Sequence, residues 1–390
     1  MEGEGRTAYG RLGPMPTMLP IVKPAAVSLA DVLPDSIAAL SGRRGRLGLP
    51  RVRSAVVVVV DGLGALALGA RAGHARRLVV NQARTIDSVV PSTTAAALTT
   101  ILTGVWPGTH GLVGYTALDR ANDRVVKQLS GWDARMVPET WQRSTTVFER
   151  TEPASASIVA VGPRSFAGSG LTRAILRGAP YRGEDDLAAR FRVAAERSAI
   201  ERTLTYVYVP ELDKTGHADG VESPRWTAVL EAIDSALGTL EGSVARGTGI
   251  AVTADHGMLD IPHDAHILLS AHTDVMHGIR HVAGEPRFLH LGLEPGEDPE
   301  AVAASWTDRF GDSSWVATRE VAVAAGWFGG EVASEVLDRI GDVLVAPRKR
   351  VAFYDDRFGE DLGRRMVGQH GSLTPEERSV PLIRLAAWKA

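Results

Sequence analysis

The sequence contains no cysteine. That excludes disulfides, thiolate metal ligands and any cysteine nucleophile, and it fits a reducing compartment. No long apolar run is present. The strongest, Ala55–Val60, is far short of the roughly 20 residues that span a bilayer. The stretch Met1–Lys23 is rich in Gly and Pro, carries charges throughout, and lacks the apolar centre of a signal peptide. Together these absences favour a cytoplasmic location and no membrane partner. Neither sign of charge dominates. Lys and Arg number 43 against 46 Asp and Glu, a net charge of -3, so no basic field attracts nucleic acid as a stable partner. What remains is ordinary for a globular protein, with 44% hydrophobic and 23% charged residues. At 390 residues the chain exceeds what one core usually supports without an accessory subdomain.

Apolar runs punctuate the chain. Val56–Val60 is β-branched without polar alternation, which predicts a strand covered on both faces. Gly62 and Gly64 follow and permit a tight turn with close backbone approach. Residues 91–104 predict a helix that Ser92 or Thr93 can cap and Gly104 ends. Further strands are expected at Ser157–Gly162, Thr205–Val209 and Gly249–Ala254, with helices at Asp185–Thr203 and Trp226–Leu240 between them. This alternation predicts an α/β fold with a doubly wound, mostly parallel sheet sandwiched by helices. Residues 115–150 read as polar and irregular. Between Asp260 and Ala346 the pattern changes to short strands (Arg287–Leu293, Trp315–Arg319) and helices (Pro299–Phe310, Glu320–Gly326). The expected organisation is an extension over 1–50 with one helix at Ser28–Leu40, a hydrolase core over 51–260 and 346–390, and an inserted α+β cap over 261–345.

Chemistry-bearing residues stand just beyond the predicted strands. Asp61 follows the first, Asp213 and His217 follow Thr205–Val209, and Asp255-His256-Gly257 follows Ile250–Ala254. His370 lies near the C-terminus. Parallel strands in an open α/β sheet bring their C-terminal ends to one edge, where ligands bind. Residues four apart on a helix share a face, so Asp213 and His217 can act together. Each element alone also suits a solvent-exposed turn; their shared position makes coincidence a poor account. Carboxylate oxygens with imidazole nitrogens suit Zn²⁺, with Mn²⁺ or Fe as alternatives. The helix opening near Pro91 adds free N–H groups for a phosphate, and a Ser92, Thr93 or Thr94 hydroxyl there qualifies as a metal-activated nucleophile.

In order, the pieces Val60-Asp61-Gly62-Leu63-Gly64, Pro91-Ser92-Thr93-Thr94, Thr103-Gly104 with Trp106-Pro107-Gly108-Thr109-His110-Gly111, Asp213 with Gly216-His217, Asp255-His256-Gly257 and His370-Gly371 resemble the alkaline phosphatase superfamily, and within it the type I phosphodiesterase/nucleotide pyrophosphatase family. The resemblance extends over residues 55–385. It implies that Thr94 is the nucleophile, being three residues after Pro91 and ten before Gly104. It implies one ion on Asp213, His217 and His370, and a second on Asp61, Asp255, His256 and the Thr94 oxygen. The implied activity is hydrolysis of phosphodiester or pyrophosphate bonds in small nucleotide-type substrates through a phospho-threonine. One position departs: family members commonly carry Asn three residues after the nucleophile, and here it is Ala97.

Other residues have plainer readings beside functional ones. Lys214 and Arg164 are weak substrate-binding candidates: Lys214 reads first as a solvated lysine, and Arg164 equally well as part of a plain connection. His110 reads as a structural partner in the turn after Pro107. His263, His266, His272, His277 and His281 read as loop histidines before they read as a third ion site. Trp132, Trp141, Trp306, Trp315 and Trp327 read as packing before base stacking. A phosphomonoesterase, a phosphonate hydrolase, or an inactive relative that binds a phospho-ligand remain the alternatives. A sulfatase is disfavoured, since Thr at 94 cannot become formylglycine.

Overall fold

The structure is a computed structural model and describes residues 18–24, 26–152, 155–357, 359 and 362–389. Most of the predicted extension's first half, residues 1–17, lies outside them. The expected first helix is a one-turn segment, Leu29–Asp31, opening into Val32–Leu40. Ser28 accepts from the Ala30 N–H, and Asp31 accepts from the Ser28 N–H, closing a capping box.

A seven-stranded sheet organises the core in the order Gln82–Asp87, Ser379–Ala386, Thr248–Thr253, Ser54–Val60, Thr203–Val209, Ser157–Gly162, Tyr181–Gly183. Ser54–Val60 lies at its centre, parallel to Thr203–Val209 on one side and Thr248–Thr253 on the other. Every residue of that strand is buried, as its unbroken valine run requires. The sheet is parallel except for Ser379–Ala386, which runs antiparallel between two neighbours. Helices Leu187–Ser198 and Pro224–Ser243 cover it, and the wholly buried helix Thr94–Thr103 packs into the same apolar cluster.

Register decides where the chemistry gathers. Val60 pairs with Val209, and Val59 with Thr253, so the three central strands end level with one another. Asp61, the turn into helix Glu211–Asp219, and Ala254-Asp255 therefore leave the sheet at one edge.

Residues 279–347 contain a second sheet, antiparallel, in the order Ile279–Glu285, Phe288–Leu293, Val343–Pro347, Ser314–Thr318. Its two faces have separate cores. Leu289, Leu291 and Leu293 pack with Trp306, Phe310 and Phe353, while Phe288 packs with Trp327 and Phe328 on the other side. The stretch read as irregular contains a hairpin, Thr116–Asp119 with Arg124–Lys127, whose Ala117 and Val126 join the second of these clusters. No helix among the described residues is long and apolar enough to cross a membrane.

Candidate metal centre

Asp61, Thr94, Asp213, His217, Asp255, His256 and His370 come together at the sheet edge. Asp61 Oδ1 lies 3.4 Å from His256 Nε2 and Asp255 Oδ2 lies 3.5 Å from the same nitrogen. Across one helical turn, Asp213 Oδ1 is 3.5 Å from His217 Nε2. The His256 and His370 rings stack with centroids 3.6 Å apart, and the His217 ring stands 5.2 Å from His370. Thr94 Oγ1 sits 3.1 Å from His256 Nε2.

Local backbone makes these approaches possible. Gly62 has φ +75°, and a Cβ there would stand 3.1 Å from the Asp213 Cα, so the turn after Asp61 admits glycine and little else. Its N–H donates to Asp255 Oδ1 at 3.2 Å, as the His256 N–H does at 3.0 Å. Thr93 is the N-cap residue of helix Thr94–Thr103 but makes no side-chain cap bond. The expected cap is thus corrected: the Ser92 hydroxyl instead donates to the Ser372 carbonyl at 2.7 Å, tying the helix start to the His370 loop. The first N–H groups of a helix have no intrahelical acceptor, so this buried helix opens toward Thr94 without a side-chain cap of its own.

Each of the three imidazoles is set the same way. Nδ1 lies against a backbone carbonyl in His217 (Gly368 O, 2.8 Å), His256 (Gly257 O, 3.0 Å) and His370 (Ser92 O, 2.9 Å). A carbonyl only accepts, so the proton sits on Nδ1 and the Nε2 lone pair is left for a ligand. With that tautomer the Thr94 hydroxyl donates to His256 Nε2. The carboxylates are equally telling: Asp61 Oδ1, Asp213 Oδ1 and Asp255 Oδ2 are buried and have no hydrogen-bond partner. Burial, reinforced by the Asp255 charge, holds the Asp61 carboxyl well above the usual carboxylate range. Burial pushes Asp213 up to about 7, with the Asp61 charge adding to it. Burial also pushes Asp255 up to about 7, and drives His256 down to about 4. Such a site disfavours its own carboxylate charges and its own imidazolium, which is the condition a cation relieves. The donor set fits a divalent ion.

The ligand atoms of Asp213, His256 and His370 lie within 4.8 Å of one another, and so do those of Asp61, Asp255 and His256. His256 thus stands between both clusters, while His217 reaches the first through Asp213.

Tyr208 escaped the sequence reading. Its hydroxyl donates to Asp61 Oδ2, but inside Thr203–Val209 it reads as one more core residue. Its one sequence signal is a hydroxyl close to the strand end that delivers Asp213. Its ring stands 6.0 Å from Phe166, whose face carries the Lys214 ammonium 5.4 Å from the centroid. Arg164, by contrast, is engaged with Glu184 at 3.1 Å and with the Gly183 carbonyl. His110 is buried, bonded to Thr100 Oγ1 and accepting from the Leu112 N–H, a structural residue. Trp306 and Trp327 are core, and Trp141 stacks on the Arg339 guanidinium. No metal-binding group forms among the described loop histidines.

Fold and site together define the class: an α/β fold with an open, mostly parallel sheet whose edge carries a candidate metal centre. The sequence profile "Type I phosphodiesterase / nucleotide pyrophosphatase" matches residues 55–373, and the chain belongs to that family. Human ectonucleotide pyrophosphatase/phosphodiesterase family member 7 is 29% identical over 119 residues, a stretch covering 28% of this chain and 26% of that protein. The chain thus matches about a quarter of that relative's length. Murine ectonucleotide pyrophosphatase / phosphodiesterase 5, solved as an inactive variant in complex with AMP, superimposes with a TM-score of 0.66 at 17% identity, covering 86% of this chain and 88% of that one. Phosphonoacetate hydrolase from Sinorhizobium meliloti 1021, in complex with phosphonoformate, gives 0.65 at 21% identity, covering 86% and 91%. At such identities these two establish likeness of fold.

Proposed function

We propose that the chain hydrolyses phosphodiester or pyrophosphate bonds of small nucleotide-type molecules through a phospho-threonine at Thr94. Asp213, His217 and His370 would hold one divalent ion, and Asp61, Asp255, His256 and the Thr94 oxygen a second; zinc is the first choice and manganese the next. When bound, the ions neutralise phosphoryl charge and lower the pKa of a coordinated hydroxyl. Thr94 gives up its hydroxyl proton to solvent and Oγ attacks phosphorus in line, its bond to phosphorus forming as the bond to the leaving oxygen breaks. The leaving oxygen takes a proton from solvent. Water then attacks the phosphorylated Thr94, its oxygen bonding to phosphorus as the bond from phosphorus to Thr94 Oγ breaks; Thr94 Oγ takes a proton from that water, and the product departs as a phosphomonoester. The uncapped start of helix Thr94–Thr103 directs N–H groups and partial positive charge at the phosphoryl oxygens. The edge formed by Tyr208, Phe166 and Lys214 borders Asp61 and is where the leaving group is placed. A cytoplasmic, metal-loaded enzyme is the form this reading describes.

The observation that carries the reading is the matched setting of His217, His256 and His370, each presenting Nε2 toward carboxylate oxygens that lack partners, with the Thr94 hydroxyl among them. Replacing Thr94 by Ala should abolish turnover of bis-p-nitrophenyl phosphate and leave bound metal, read by elemental analysis, nearly intact. Turnover surviving in that variant would refute the nucleophile.

A second reading, phosphonate hydrolysis, is favoured by Ala97. This residue is fully buried in the core cluster and offers no amide to a phosphoryl oxygen. The phosphonoacetate hydrolase shares the fold. Rates on bis-p-nitrophenyl phosphate, p-nitrophenyl phosphate and phosphonoacetate separate the readings: the diester should be fastest, and a faster phosphonate would replace the first reading by the second.

A further inference from the structure

Away from the metal centre, a second pocket gathers basic side chains, two of which carry buried nitrogens without a hydrogen-bond partner. A cavity of about 420 Å³ opens against the short Leu259–Asp260 and Gly368–Gln369 strand pair, lined by His263, His266, Arg364 and Arg365 above an apolar floor that includes Ile261 and Val367. Among the described residues no Asp or Glu lines it. Both ring nitrogens of His266 are buried and have no hydrogen-bond partner, and neither has the buried Arg364 Nε. The His266 ring is held in place, 4.8 Å from His263 and 4.7 Å from Tyr354. Burial lowers the His266 imidazolium, the His263 and Arg364 charges lower it further, and Asp264 alone opposes them. Asp356, a described carboxylate whose field reaches Arg364, is already taken by the Ser270 N–H and hydroxyl. Orphaned buried donors in a basic pocket lack one thing, an acceptor of negative charge.

We propose that this cavity is a second anion site, one that takes the phosphate of a phosphomonoester or free inorganic phosphate, with His266 and Arg364 as its principal donors. The guanidinium fork and imidazole N–H are the groups that bind a tetrahedral oxyanion well. The floor of the cavity communicates with the metal centre through the backbone. The Val367 N–H donates to the His217 carbonyl, and the Gly368 carbonyl accepts from His217 Nδ1. His370 follows three residues after Val367, roughly 10 Å along an extended chain. Phosphate held here therefore bears on the segment that orients His217.

Isothermal titration of the metal-loaded protein with inorganic phosphate, and separately with AMP, tests the assignment. The wild type is expected to take up two equivalents of phosphate, one at the metal centre and one in the cavity. The His266→Ala/Arg364→Ala double variant should retain one and keep wild-type turnover measured without added phosphate. The single Arg364→Gln variant should weaken the second event at least tenfold while its melting temperature stays at the wild-type value. Binding of AMP to the cavity would assign it to a phosphomonoester; binding of phosphate alone would assign it to the free ion. One equivalent in the wild type, or an unchanged second event in both variants, overturns the proposal.

Discussion

At the scale of single residues the centre depends on how each carboxylate is aimed. Asp61 has two oxygens with different tasks. Oδ2 accepts the Tyr208 hydroxyl, and Oδ1 is left buried, unpartnered and facing His256. Tyr208 is therefore a positioning residue: it fixes the Asp61 rotamer and spends the oxygen that would otherwise compete for the ion. Groups that orient a ligand typically account for about 10–100-fold in metal affinity. Tyr208→Phe should weaken ion binding by about that factor in a competition titration with a chromogenic chelator, with little change in turnover once metal is saturating. A merely structural tyrosine would instead lower stability and leave metal affinity alone, and that pattern would remove the role. Asp61→Asn is expected to be more severe, since it deletes charge at the ion rather than aim.

At the scale of elements, the four-stranded antiparallel sheet is fastened to the metal loops by a fully buried ion pair. Arg287, beside strand Phe288–Leu293, meets Glu377 at 2.7 Å with both side chains 0% exposed. The remaining Arg287 donors go to the Lys349, Val351 and Pro347 carbonyls. Glu377 also accepts from the Ser372 N–H and from the Thr374 hydroxyl. The carbonyl of Glu377 accepts from the Gly257 N–H, beside His256. Glu377 thus ties the antiparallel sheet and the His370 loop through its carboxylate, and the His256 turn through its backbone carbonyl. Removing one charge of a buried pair costs about 3–5 kcal/mol because the other is left uncompensated. Glu377→Gln should lose about that much in urea unfolding and bind less metal at equal folded fraction. A loss below about 1 kcal/mol would mean that water reaches Arg287, as exposed pairs contribute no more than that. The strands that carry ligands were legible because burial on both faces leaves β-branched runs such as Val56–Val60, and Asp or His stands just past each run. The edges were not. Gln82–Asp87 is largely exposed, and Ser379–Ala386 contains Pro381, which argues against an interior strand. It nevertheless sits between two neighbours, with a register shift after Leu382. The Thr116–Lys127 hairpin was hidden for a related reason. It packs few side chains of its own, and its partner surface is supplied by residues more than a hundred positions later. In the centre itself, the residues that gather there were readable from order and spacing. The position of His256 between both clusters, and the link from Tyr208 to Asp61, depend on side-chain direction, which spacing does not encode.

At the scale of the whole molecule, the centre makes stability depend jointly on pH and metal. Asp213 and Asp255 have folded values of about 7, above the roughly 3.9 of an unfolded aspartate. A raised folded value means that the stabilising contribution is complete below the unfolded value and is lost as pH rises through about 7. His256 runs the other way. Its folded value of about 4 lies below the unfolded value of about 6.5, so its contribution is present above 6.5 and lost as pH falls toward 4. In metal-free protein near pH 8 the imidazoles are content and the carboxylates are not. An ion corrects that defect and competes with protons for the same oxygens and nitrogens. Zinc should therefore raise the melting temperature of chelator-treated protein more at about pH 8 than at about pH 5.5, and the difference should vanish in an Asp213→Asn/Asp255→Asn variant. A zinc-induced shift as large at the lower pH would mean that the ion binds elsewhere, and the seven side chains gathered at the sheet edge would need another purpose.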